Sequence, residues 1–425
     1  MRKMKNSGVA WIGDVPENWG TIPNKYLMRK VKAICQKYSN EDVLSLTMNG
    51  VIKRDLDNPS GKMPSTFDGY QFVYAGNLLM CLFDIDVTPR CIGLIENDGI
   101  TSPAYSQFEL KRNAFNRYYY YYYLYLDNKK ELLHLAKNLR HSFTEEQFGQ
   151  IPIVVPPIEQ QHLIANQLDF VCKKVEDLIS NQEQQIEKLK QYKQSLITEV
   201  VTKGLNPDMP MKDSGIEWIG IISAIHNIYR LKYLLNSQML YGANEAGSFY
   251  TNNAVRYIRI TDITEDNKLK DSAENLYLSI EKAKPYILKD KDVLFARSGA
   301  TVGKAFMYLN EYGKSAFAGY LIKAECNTQK LLPEYLFYYT QSSLYEYWKN
   351  MIFIQATIQN IGANKYSNMP IIQMSLDEQN QIVKFLDDKC AKIDRLIAIK
   401  QEKINKLNDY KKSLIYEYVT GKKEV

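Results

Sequence analysis

The sequence predicts an α+β protein. Two globular mixed α/β domains are joined by two long antiparallel helices that form a coiled-coil-like spacer, and the arrangement is pseudo-two-fold symmetric. Three observations predict this. The stretch from Val171 to Thr202, "VCKKVEDLISNQEQQIEKLKQYKQSLITEVVT", returns without a gap from Lys389 to Thr420, at an offset of 218 (Cys172 to Cys390). The head "SGVAWIG" at Ser7 returns as "SGIEWIG" at Ser214, and "KYL" at Lys25 as "KYL" at Lys232, both at an offset of 207. Between head and tail, each half carries strand-type alternation followed by helical segments.

The elements follow in chain order. The first domain covers residues 1–157. Its strand signals are "GNLLMCLFDI" (76–85) and "IGLIENDGITSPAYSQFEL" (92–110), and "KELLHLAKNLRHSF" (130–143) reads as helical. The tyrosine run "RYYYYYYLYL" (117–126) invites a base-stacking role. Consecutive tyrosines alternate faces on a strand or circle a helix, so packing in a core or interface is the stronger reading. The first spacer helix covers 158–203. Pro156 and Pro157 precede it, Gly204 follows it, and Val175, Ile179, Ile186, Leu189 and Leu196 fall on one seam with steps of four and three. Residues 204–213, "GLNPDMPMKD", are a turn-rich linker.

The second domain covers 214–375, with strands at "VRYIRITDI" (255–263) and "DVLFARSG" (292–299) and helix at "PEYLFYYTQSSLYEYW" (333–348). The second spacer helix covers 376–425. A capping box at Ser375–Glu378 opens it, Gly421 ends its apolar pattern, and Ile393, Ile397, Ile404, Leu407 and Leu414 repeat the seam. Gln182, Lys193, Lys400 and Lys411 interrupt the stripe, so this is not an ideal zipper. Each helix would be about 65–70 Å long. A domain of about 160 residues spans only about 40 Å. It cannot carry the chain back to the start of the first helix, so the second helix should begin where the first ends.

Composition sets bounds. The chain has 425 residues, 45% hydrophobic and 24% charged, with a net charge of +6. That is a globular composition with room for two or three domains, and it permits a nucleic-acid partner without demanding one. No apolar run approaches the roughly 18 residues of a membrane helix, and the N-terminus has no apolar signal region. Six scattered cysteines and four histidines give no metal-ligand spacing, which points to free thiols in the cytoplasm. The tempting stretch "RSGATVGKAF" (297–306) fails as a P-loop: Ser298 stands where glycine is needed and Ala305 where Ser or Thr is needed. It reads instead as a β-turn, as a glycine-permitted loop that brings cations to DNA, or as both. No nucleophile elbow, zinc-protease motif or cofactor loop appears. "VPPI" at Val155 lacks the residues of an amino-methyltransferase motif.

These residues resemble the specificity subunit of type I restriction-modification systems. The resemblance lies in the "SG[VI]xWIG" openings, the "PPIEQQ" entry into the first helix, the "YKxSLIxExVT" helix ends, and the "GNLLMCLFDI" and "DVLFARSGATVGKAF" stretches. It covers essentially the whole chain. One departure is "IGIISAIHNIYR" after Trp218, which lacks the P-x-x-W of "DVPENW".

The resemblance implies that each domain is a target recognition domain reading part of a bipartite, asymmetric target on double-stranded DNA. The helices would fix the unread gap and dock two modification (methyltransferase) subunits, and through them motor-nuclease restriction subunits. S-adenosylmethionine, ATP and Mg would sit on those partners. This chain would hold no cofactor, metal or catalytic residue of its own. Basic residues near turns and strand ends are the candidates for DNA contact: Arg54, Lys62 and Arg90 in the first domain, and Arg256, Arg259, Arg297, Thr301 and Lys304 in the second. The alternatives are a coiled-coil adaptor without DNA readout, a single-chain nuclease or methyltransferase, and two halves that each work alone.

Overall fold

The two repeated heads fold alike. In "SGVAWIG", the Ser7 hydroxyl accepts from Val9 N at 3.1 Å, Gly13 N donates to Val9 O at 3.1 Å, and Ser7 N donates to Gly13 O at 3.0 Å. In "SGIEWIG", the corresponding bonds join Ser214 to Ile216 (3.1 Å), Gly220 to Ile216 (3.0 Å) and Ser214 to Gly220 (2.9 Å). The computed structural model describes residues 3–59, 63–111, 113–136, 141–249, 254–264, 266–270, 275–299, 301–354 and 360–425. Its contacts divide the chain into two units, Met1–Glu183 with Gln401–Val425, and Gln184–Lys400.

The first unit is built on a four-stranded antiparallel sheet in the order Met28–Val31, Ser106–Leu110, Leu78–Met80, Ile92–Leu94. The ribbon Met4–Asn6/Asp14–Pro16 carries the head, and Gly20–Pro23 pairs with Pro152–Val155. The second unit repeats this plan. Its four-stranded sheet runs Leu240–Tyr241, Leu321–Ala324, Val293–Ala296, Ala305–Met307, its head ribbon is Met211–Asp213/Ile221–Ser223, and Asn227–Arg230 pairs with Pro370–Gln373. It differs in a three-stranded sheet, in which Ala254–Ile258 lies between Leu276–Ser279 and Ser315–Phe317.

The tyrosine run forms a helix, Asn116–Lys129, that Lys130 ends in the left-handed region at φ 52°. Tyr118, Tyr119, Tyr121, Tyr122, Tyr123 and Tyr125 are all buried, so they are core and not a stacking platform. The segment after it corrects one expectation. Among the described residues of "KELLHLAKNLRHSF" the one helical element is a 3₁₀ turn, Glu131–Leu135; residues 137–140 lie outside the described residues. The left-handed Lys130 breaks the α-helical path at the start of this segment. In the second unit the expected helix is two, Pro333–Tyr339 and Ser343–Ile354. The strand expected over 255–263 stops at Ile258, where Arg259 bonds Asp262 across a 3₁₀ turn.

The long helices are Ile158–Lys203 and Leu376–Val419. Along the seam, Val175, Ile186, Ile393, Ile404 and Leu414 are buried and Ile179, Leu189, Leu196, Ile397 and Leu407 are half-buried. Three of the four interruptions bond across the seam. In the second unit, Lys193 Nζ lies 2.7 Å from Asp394 and Lys400 Nζ bonds Gln185, so residue numbers rise on one helix as they fall on the other. In the first unit, Lys411 Nζ lies 2.6 Å from Glu176. Lys193 and Lys411 are repeat equivalents, as are Asp394 and Glu176; the same ion pair is made once in each unit.

The repeated tails also enter the domain cores. In the first unit Leu414, Ile415, Tyr418 and Val419 pack with Val9, Ile12, Trp19 and the tyrosine helix. In the second, Ile197, Val200 and Val201 pack with Ile219, Ile222 and Tyr335. Tyr118 Oη donates to Val419 O at 2.8 Å, and Tyr335 Oη donates to Ile372 O at 2.8 Å and lies 3.3 Å from Val201 O. Each such buried side chain contributes about 1.5–3 kcal/mol. The recurrence of "SLIxExVT" therefore has a local cause: each tail is the apolar floor of a domain.

A buried glutamine locks each helix entry. Gln161 accepts from Phe115 N at 2.8 Å and donates to Pro156 O at 2.8 Å; Gln379 accepts from Leu332 N at 2.8 Å and donates to Met374 O and Lys330 O, both at 2.9 Å. The expected capping box is half present. Ser375 Oγ accepts from Glu378 N at 3.2 Å, while the Glu378 carboxylate turns to His226 at 2.9 Å.

Candidate nucleic-acid interface

The eight candidate residues separate by what their side chains already hold. Lys62 lies outside the described residues. Arg54 is half-buried, and its backbone N–H donates to Val43 O at 2.8 Å. It lies near Tyr105, whose hydroxyl is pushed up by burial, an effect the Arg54 charge opposes. Arg90 faces inward: its side chain is 16% exposed and its Nε lies 3.8 Å from Asp127, which also takes Lys130 Nζ at 2.9 Å. Burial, and then the Asp127 charge, push up the neighbouring Cys91 thiol. Arg256 bonds Lys270 O and the Asn275 amide. Arg259 forks onto Asp262 at 2.8 and 3.2 Å. The contacts of Arg90, Arg256 and Arg259 tie their side chains to their own domain.

Arg297, Thr301 and Lys304 are brought together on one loop. It connects Val293–Ala296 to Ala305–Met307, two antiparallel neighbours, so it is a hairpin with no helix behind it. That connection confirms the failure of the P-loop reading, which needs a helix N-terminus. Gly299 at φ 80° and Gly303 at φ 81° supply the left-handed turns. A Cβ at Gly303 would lie 2.2 Å from Lys349 Cδ.

The loop is held from several sides. Tyr345 Oη donates to Gly303 O at 2.7 Å, Tyr366 Oη to Ala296 O at 2.8 Å, Arg297 N to Tyr320 O at 2.9 Å and Ile361 N to Arg297 O at 2.9 Å. Among the described residues the Arg297 and Lys304 side chains meet no carboxylate. The Arg297 guanidinium lies 5.1 Å from the centroid of the Tyr241 ring, and Tyr241 Oη accepts from Ala363 N at 2.9 Å. Tyr241 and Tyr320 are exposed. The result is a loop whose described backbone is tied by hydrogen bonds and which sets the Arg297 cation against an exposed aromatic ring, with Lys304 further along the same loop, an arrangement that suits contact with nucleic acid.

The corresponding loop of the first unit, between Leu78–Met80 and Ile92–Leu94, has other chemistry. Phe83 stacks on Tyr105 at 6.4 Å, Val87 is exposed, and a cavity of about 260 Å³ is lined by Met48, Phe83, Arg90 and Tyr105. Tyr241 was not among the residues read from the sequence, because nothing local distinguishes it from the other 31 of the chain's 32 tyrosines. Among the described residues no group of three His, Cys, Asp or Glu is placed to hold a metal, and no helix is long and apolar enough to cross a membrane.

Three comparisons bear on this geometry. The chain matches the family model of the type I restriction modification DNA specificity domain over residues 92–188 and 232–409, more than half its length. It is 20% identical over 298 residues to the type I restriction enzyme StySPI specificity subunit of Salmonella potsdam, covering 69% of this chain and 62% of that one. It is 25% identical over 286 residues to the MjaVIII specificity subunit of Methanocaldococcus jannaschii, covering 65% and 63%. The chain thus spans a little over three-fifths of the length of these curated relatives. A solved chain described under complex assembly and conformational transition of the type I R-M system shares its fold, with a TM-score of 0.70 and 14% identity over 95% of this chain and 98% of that one.

Proposed function

Since the chain belongs to the type I restriction modification DNA specificity domain family, we propose that it supplies the DNA address of a type I restriction-modification complex. Its two domains recognise the two halves of a bipartite, asymmetric duplex target. The long helices form an antiparallel, coiled-coil-like spacer with pseudo-two-fold symmetry that sets the unread gap. They dock two modification subunits, and through these the motor-nuclease subunits. S-adenosylmethionine, ATP and Mg belong to those partners, this chain does no chemistry itself, and the complex works in the cytoplasm.

One observation carries the reading. The two units repeat a single strand plan, yet their equivalent hairpin loops present different chemistry: Arg297 and Lys304 in one, Phe83 and Val87 in the other. A repeated scaffold with unlike reading loops is what an asymmetric split target requires.

The test is long-read methylation mapping of DNA from cells that co-express this chain with its methyltransferase partner. A methyl-adenine in a split motif that vanishes when the chain is omitted supports the reading. An identical methylation pattern with and without the chain, in a complex that assembles, defeats it in favour of an adaptor.

A further inference from the structure

The tripeptide Lys-Tyr-Leu occurs once in each half, and packing explains only its leucine. Leu27 and Leu234 are each 3% exposed, in the cores of their own units. Lys25 and Lys232 are exposed, and Tyr26 and Tyr233 keep 59% and 58% of their surface in solvent. The exposed part nevertheless repeats in detail. In each unit the lysine Nζ lies 5.3 Å from the centroid of the neighbouring tyrosine ring.

A further exposed lysine reaches each pair from the turn after a sheet strand. Lys111 Nζ donates to Lys25 O at 3.0 Å, and Lys330 Nζ to Tyr233 O at 3.4 Å. These two lysines are not repeat equivalents, so the two units arrive at the same cluster by different routes. In the second unit Arg230 adds a charge: it and Lys232 both donate to the neutral Asn368 oxygen, at 3.3 and 3.0 Å. None of these four lysines has a carboxylate partner among the described residues.

We propose that Lys25–Tyr26 with Lys111, and Lys232–Tyr233 with Lys330, are two equivalent phosphate-contact sites. Through them each domain grips the duplex backbone whatever the base sequence. The assignment rests on the DNA-address reading above. Both clusters present donors, ammonium groups and a phenolic O–H, and so call for an anion. Domains whose reading loops differ have one DNA feature in common, the sugar-phosphate backbone. The tyrosine ring holds the ammonium by cation–π attraction and limits the freedom lost on contact. The competing occupant is an acidic protein surface that meets both domains.

The test uses the complex of this chain with its methyltransferase partner. Duplex binding is measured on the mapped target and on a scrambled duplex of equal length, between about 50 and 200 mM salt. The variants are Lys25→Gln with Lys232→Gln, and Tyr26→Phe with Tyr233→Phe. Each lysine lost should lower the salt slope by about 0.9, shrinking the low-to-high-salt affinity ratio about 3.5-fold per lysine, or about 12-fold for both. The loss should be equal on both duplexes, with the methylated motif unchanged. An unchanged slope, or an altered motif, overturns the assignment. Loss of the methyltransferase subunit with an unchanged slope assigns the clusters to a protein partner instead. A wild-type complex with no salt-dependent duplex binding overturns the address reading itself, and this assignment with it.

Discussion

His226 Nε2 meets Glu378 Oε1 at 2.9 Å where, in the other half of the repeat, Trp19 Nε1 donates to Gln160 Oε1 at 2.7 Å. Trp19 and His226 are related by the head offset of 207, Gln160 and Glu378 by the tail offset of 218. The missing tryptophan of the second head is thus a paired replacement: indole and amide have become imidazole and carboxylate. Each pair sits against the glycine that ends a long-helix pattern. A Cβ on Gly204 (φ 78°) would lie 2.5 Å from Glu378 Oε1, and one on Gly421 (φ 69°) 2.5 Å from Pro16 Cδ and 3.0 Å from Trp19 Cη2. The His226 ring is fully buried, with Nδ1 3.3 Å from Thr202 O. Head, helix entry and helix tail therefore meet at one joint in each unit.

The paired replacement predicts strong coupling between its members. His226→Ala strips partners from Glu378 and Thr202 O and opens a cavity, at a cost of about 2–3 kcal/mol. That lowers Tm by several degrees. The double change His226→Trp with Glu378→Gln rebuilds the pair of the first unit and should recover more than half of what His226→Trp alone loses. Thermal unfolding of the four-member cycle measures this. Additive losses, with no coupling energy, would show that the two residues do not act as a pair.

The buried glutamines make a second case. Gln379 is inaccessible and bonds three backbone groups, Leu332 N, Met374 O and Lys330 O. Gln379→Leu keeps the volume roughly constant and removes all three bonds. It should cost about 2–4 kcal/mol, and Gln161→Leu a similar amount. Denaturant unfolding gives the value, and a change under about 0.5 kcal/mol would mean that the backbone groups find other partners.

The tyrosines set the alkaline limit. Burial pushes Tyr118, Tyr119, Tyr122, Tyr335 and Tyr339 up, and the less buried Tyr125 up to about 12. In the unfolded chain these groups ionise near pH 10. Below that pH both states are protonated and the stabilisation is complete. Above it the unfolded state binds fewer protons, so stability falls by about 1.4 kcal/mol per pH unit for each such tyrosine until its folded-state pKa is reached. The buried set should ionise only as circular dichroism collapses; phenolate from all tyrosines in a chain of unchanged dichroism would refute the packing described here.

Much of this fold is legible in the sequence because its signals are periodic. Steps of four and three from Val175 to Leu196 and from Ile393 to Leu414 leave a helix little alternative, and Gly204 and Gly421 mark the ends of the pattern. The heads repeat because their serine and glycine turns repeat. The interface is far less legible. Pairing decides which arginine is available, and pairing is tertiary: Arg259 finds Asp262 nearby, but Arg90 meets Asp127 only once strand and helix have packed. The Lys-Tyr repeat is plain in the sequence, but its exposure is not. The tyrosine run satisfies strand and helix patterns equally, and only the core it fills settles the choice.

Arg297 carries the sharpest prediction about readout. The Arg297 guanidinium, 5.1 Å over the Tyr241 ring and meeting no carboxylate among the described residues, is a planar fork of donors that matches the O6 and N7 acceptors of guanine in the major groove. A good pair of this kind discriminates by about 1–3 kcal/mol. Arg297→Ala should therefore relax a single guanine position in one half of the methylated motif, leaving the other half and the gap unchanged. Tyr241→Phe, which keeps the ring, should retain the motif. Lys304→Gln should reduce methylation evenly across sites, as a backbone contact does. Methylation mapping of the three variants separates these outcomes. If Arg297→Ala lowers methylation evenly with every motif position intact, Arg297 holds a phosphate, and the base is read elsewhere in the second unit.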